Sequence, residues 1–71
     1  METLTPVQTT VFRFLKSYKK KHGYPPTRAE IASNFEWSSD NAAQQHLVEL
    51  ARKGYIRRAA KGIARGIVLL K

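Results

Sequence analysis

The 71-residue chain carries 13 Lys and Arg against 5 Asp and Glu, giving a net charge of +8 and a pI near 10.3. A chain this short buries only about 60% of the surface its unfolded form exposes, which excludes a second core or a deep catalytic cavity. Its basic balance points to an anionic partner, foremost nucleic acid. The absence of cysteine excludes disulfides, thiolate zinc sites and thiol nucleophiles and suits a cytoplasmic protein, while no apolar run approaches the roughly 20 residues that span a bilayer.

The first expected helix is marked at both ends. Thr5 and Gln8 stand at capping-box spacing around Pro6, which suits the first helical position because its missing N–H has no intrahelical partner there. Val7, Val11, Phe14, Leu15 and Tyr18 recur at helical spacing, and Phe12 widens this apolar stripe. Lys19, Lys20 and Lys21 fall in the last turn, where they suit the helix dipole as well as a phosphate backbone, and Gly23 supplies the stop.

Pro25 and Pro26 forbid continuation and extend the chain. Thr27 with Glu30 repeats the capping box and opens a short second helix, ending near Asn34 or Phe35, with Ile31, Ala32 and Phe35 on its apolar side. Glu36 and Trp37 form the turn, and the indole is expected to plug the helix–helix corner. A third helix, about residues 39–53, begins at Ser38 or Ser39 with Asp40 favoured in its first turn. Its buried stripe is Ala43, Leu47, Leu50 and Ala51, and Gly54 ends it. "YIRR" and "GIVLL" then read as two strands around the basic loop "AAKGIAR", a wing at about residues 59–65. The expected fold is mainly α with a small β-hairpin, a three-helix winged helix-turn-helix filling residues 1–71 as a single domain.

At about 100° per residue, Asn41, Gln45, Val48 and Arg52 turn away from the buried stripe of the third helix, with Gln44 on its flank. A helix laid in the DNA major groove needs such a face: amides pair with base edges, small residues let the backbone approach, and a methyl group can meet thymine. Asn41, Ala42, Gln44, Gln45 and Val48 are the candidate base-reading residues. Arg28, Ser38, Ser39, Arg52 and Lys53, with Lys61 and Arg65 of the wing, are candidate phosphate contacts, which position a protein without reading sequence. Arg57 and Arg58 add charge to the hairpin. The same amides also suit an ordinary solvent-facing helix, and Asn41 also suits a cap; the pattern alone does not separate the two readings.

Catalysis has no foothold in this sequence, and neither a cofactor nor a metal is expected. His22 falls at a helix end and His46 flanks the core stripe, both positions of structural histidines. The serines have no base at a recognisable spacing, and there is no Gly-rich phosphate loop. The competing class is a stand-alone protein-interaction module that docks a repressor or polymerase partner through the aromatic first helix. Steep salt dependence would mark DNA instead.

Several stretches resemble the DNA-binding domain of the LexA family of bacterial SOS-response repressors: "LTPVQ", "GYPPTRAEIA", "NAAQQHL", "LARKGYI" and "RGIVLL". The likeness covers essentially the whole chain. It implies a winged helix-turn-helix that docks its third helix in the major groove of palindromic operators in double-stranded DNA. It also implies that Ser39, Asn41, Ala42, Gln44 and Gln45 read bases, that Arg28 and Arg52 contact the backbone, and that residues 61–65 belong to the wing. One copy is expected to bind a half-site weakly, with two copies on a palindrome. Gln44 and Gln45 stand where LexA-like proteins commonly carry acids, Glu36 where many carry glycine, and Asp40 where proline is frequent. The family's C-terminal self-cleaving, dimerising domain has no counterpart here, so the chain reads as an excised domain or as a stand-alone relative of phage or mobile-element type.

Overall fold

The computed structural model describes residues 3–58 and 66–71. In chain order it contains α1 (Pro6–His22), α2 (Arg28–Asn34), α3 (Asp40–Arg52), β1 (Ile56–Arg58) and β2 (Ile67–Leu69). The first two helices begin with complete capping boxes. The Thr5 hydroxyl accepts from the Gln8 N–H at 3.2 Å while the Gln8 side-chain oxygen accepts from the Thr5 N–H at 3.0 Å. Thr27 and Glu30 exchange the same pair at 3.1 and 2.8 Å. In each case two backbone donors that the helix leaves without a partner are satisfied by side chains three residues apart.

The ends of α2 and α3 share one hydrogen-bond pattern. After α2, Trp37 N–H donates to the Ala32 carbonyl (2.9 Å) and Glu36 N–H to that of Ser33 (3.2 Å); after α3, Tyr55 N–H donates to Leu50 (3.0 Å) and Gly54 N–H to Ala51 (3.1 Å). This closure requires a left-handed residue just past the cap. Gly54 meets it at φ +85°, and Glu36 at φ +57°. Glycine adopts that conformation freely, whereas the Cβ of Glu36 carries a penalty of roughly 1–2 kcal/mol.

One core joins all five elements: Val11, Phe12 and Leu15 from α1, Ile31 from α2, Ala43, Leu47 and Leu50 from α3, Ile56 from β1 and Ile67 from β2. Val7, expected on the apolar stripe of α1, is instead 50% exposed. The inner position of that first turn goes to buried Gln8, whose amide oxygen satisfies both the Thr5 N–H and the Lys53 ammonium (2.6 Å). Trp37 packs half-buried against the core, stacked between Phe35 (centroids 4.9 Å apart) and His46 (5.1 Å), so the turn is pinned to α3 by ring contacts.

β1 and β2 pair antiparallel with Ile56 opposite Leu69, Arg57 opposite Val68 and Arg58 opposite Ile67. Ile56 and Ile67 are buried while Arg57 and Val68 face solvent, as the two-residue side-chain period requires. Three helices followed by this small antiparallel sheet make a winged helix-turn-helix, with α2 and α3 packed together as its central pair.

Candidate nucleic-acid interface

The outer face of α3 is built by the helix period and anchored by its start. The Ser39 hydroxyl accepts from the Asn41 N–H at 3.1 Å, which fixes the first turn, and Asp40 lies there in favourable relation to the helix dipole. Asn41, Gln45 and Arg52 are exposed and Ala42 is half-buried. Val48 is 43% exposed, an apolar side chain held in water between polar neighbours. Among the described residues the amide groups of Asn41 and Gln45 make no hydrogen bond, so their donors and acceptors face outward. Such groups can pair bidentately with a base edge at no cost in internal bonds.

Gln44 is separated from this row. Its side-chain oxygen accepts from Arg58 at 2.7 Å and, at a longer 3.4 Å, from Arg28. Three elements therefore meet at one amide: the first residue of α2, the flank of α3 and the last residue of β1. Sequence reading assigned Arg58 to a basic hairpin without a partner. No local signal links it to Gln44, because the two are 14 residues apart and meet only through the tertiary fold.

The expected phosphate contacts divide three ways. Arg28 and Ser38 are exposed, Ser38 just before α3 and Arg28 against Gln44 on its flank. Arg52 is exposed but engaged, its guanidinium donating to the Glu49 carboxylate at 2.8 Å. That hydrogen bond, reinforced by the charges of Arg52 and Lys53, holds the Glu49 carboxyl below its ordinary value. Sequence reading passed over Glu49, although its spacing three residues before Arg52 was the signal. Lys53 is drawn into the fold, its ammonium donating to the Thr3 carbonyl at 3.1 Å and to Gln8. It ties the end of α3 to the start of α1 and is not presented with Arg52. Lys61, Arg65 and the wing at about 59–65 lie outside the described residues.

A helix-turn-helix whose second helix presents free amides, flanked by arginines and followed by a two-stranded sheet, defines a DNA-binding domain of the winged helix class. Residues 1–66 match the LexA DNA binding domain family, and the chain belongs to it. Over 69 residues, 97% of this chain and 31% of the relative, it is 51% identical to the LexA repressor of Cupriavidus taiwanensis. It is 49% identical to the LexA repressor of Pseudomonas aeruginosa over 67 residues (94% of this chain, 32% of the relative). Against that of Ralstonia pickettii it is 49% identical over 69 residues (97% and 32%). The chain thus spans about a third of the length of these relatives, and the part it shares is a DNA-binding rather than a catalytic domain. No described helix is long and apolar enough to cross a membrane.

Proposed function

We propose that residues 1–71 act as one operator-reading domain of a cytoplasmic LexA-type repressor, with α3 in the major groove of double-stranded DNA. Ser39, Asn41, Ala42 and Gln45 face the base edges, while Gln44, its oxygen already engaged, keeps only its NH2 group for a base. Arg28, Ser38 and Arg52 meet phosphates on either side, with Lys61 and Arg65 of the wing adding to them. The observation that carries this reading is the pair of outward amides at Asn41 and Gln45 on a helix whose opposite face is fully committed to the core.

One copy presents one recognition helix and so covers one half-site. Tight binding requires two copies on a palindrome whose spacing suits both helices. Repression follows from occupation of the operator against polymerase. The interaction-module alternative draws on the aromatic rings along α1, but the net charge and the free amides of α3 favour DNA.

Asn41→Ala and Arg52→Ala test the assignment by fluorescence anisotropy on operator and random duplexes. Asn41→Ala should cost about 1–3 kcal/mol on the operator and relax discrimination at one base pair. Arg52→Ala should weaken both duplexes alike and lower the salt slope by about 1. Equal losses on both duplexes from Asn41→Ala would remove it from base reading.

A further inference from the structure

The Arg28–Gln44–Arg58 cluster does more than hold three elements together. We propose that Gln44 is a positioning residue and that the cluster is one phosphate-binding unit, in which a neutral amide holds two guanidinium groups ready for a single DNA phosphate. The proposal rests on the DNA-binding reading and adds Arg58 to the residues that carry it.

The geometry supplies the argument. The Gln44 oxygen accepts from one nitrogen of each arginine, at 2.7 Å from Arg58 and 3.4 Å from Arg28. A guanidinium has five N–H donors in a rigid fork, so each arginine retains donors for an outside acceptor. Arg28, Gln44 and Arg58 are not enclosed: both arginines are exposed and the amide is half-buried.

Charge points the same way. Two guanidinium groups that converge on one oxygen repel each other, and an amide accepts their hydrogen bonds without neutralising either. Among the described residues no carboxylate pairs with Arg28 or Arg58, whereas Arg52 on α3 has Glu49. A site with two fixed positive charges and no counter-charge is completed by an anion. A phosphate oxygen pair matches the forks, accepts from both and offsets their repulsion. The DNA backbone, which lines the edges of the groove that α3 enters, provides that group beside the helix flank rather than at its tip.

The identity of residue 44 then matters in a specific way. An acid there would pair with the arginines and cancel one of their charges, while the amide leaves both for DNA. Gln44 thereby sets how many phosphates the domain neutralises, through groups it does not itself bring to the DNA.

Anisotropy titrations of wild type, Gln44→Glu, Arg58→Gln and the double variant test this on a palindromic LexA-type duplex and a scrambled duplex at several salt concentrations. Circular dichroism confirms that each variant is folded. Gln44→Glu and Arg58→Gln should each weaken binding to both duplexes by about tenfold and lower the salt slope by about 1, and the double variant, which leaves the cluster without net charge, should lose more than either. A Gln44→Glu variant with the wild-type salt slope and a changed preference between duplexes would overturn the proposal and leave Gln44 with base reading alone. A wild-type domain that binds neither duplex at moderate salt would instead remove the DNA reading beneath it.

Discussion

Along the inner face of α3, Ala43, Leu47 and Leu50 are buried against helices and sheet, whereas along the outer face Asn41, Gln45 and Val48 stand in water. The two faces share one backbone and one cap, yet answer to different constraints. The inner face is selected by packing, because burial of each large apolar side chain is worth about 1.5–3 kcal/mol. The amides of Asn41 and Gln45 on the outer face carry no internal bonds among the described residues. A polar group left without a partner in a folded domain is tolerated only because water serves it, and a base edge can take the place of that water. Stability and recognition can therefore be altered separately on this helix.

The sharpest test of that separation is Leu47→Ala. It should destabilise the fold by about 2–5 kcal/mol, measured by urea denaturation, which is a large share of what a 71-residue chain can hold. Folded Leu47→Ala protein should still discriminate operator from random DNA. A loss of discrimination without a loss of stability would break the comparison.

A smaller effect lies in the turn before the helix. Glu36 occupies a left-handed position that matches Gly54 after α3. Glu36→Gly should raise stability by about 1 kcal/mol in the same denaturation experiment and leave both DNA affinities unchanged. If affinity changed, the turn geometry would be part of recognition and the two faces would not be independent.

The smallest effect concerns Glu49. Its carboxyl is held below the ordinary value of 4.5 by the Arg52 hydrogen bond, so the ion pair supports the fold above the unfolded value and that support fades as pH falls through the folded one. Glu49→Gln should flatten the acid limb of a thermal-denaturation profile slightly. At neutral pH it should strengthen binding to any duplex by about two- to fivefold, because an acid beside the phosphates is removed and Arg52 is released.

Local chemistry explains how much of this was legible in the sequence. Thr5 with Gln8 and Thr27 with Glu30 announce helix starts because both partners lie three residues apart, and Gly23 and Gly54 mark the ends because each takes a positive φ. The outward face of α3 follows from period alone. Val7 was misplaced because periodicity ranks a valine above a glutamine, while the fold needs the Gln8 oxygen inside for Lys53. Lys53 in turn reads as a phosphate contact until its tie to α1, 45 residues away, is seen. Gln44 and Arg58 meet across 14 residues for the same reason: tertiary contacts leave no spacing to read. Family likeness adds what period cannot, namely that the domain is one that binds DNA.

The central claim is that this domain reads sequence through α3 and does not merely adhere to DNA by charge. It is tested most directly by anisotropy of the 71-residue chain on a LexA-type palindrome and on a scrambled duplex of the same composition, each at several salt concentrations. The account predicts tighter binding to the palindrome with a steep salt slope on both. Equal affinities at every salt concentration would contradict it.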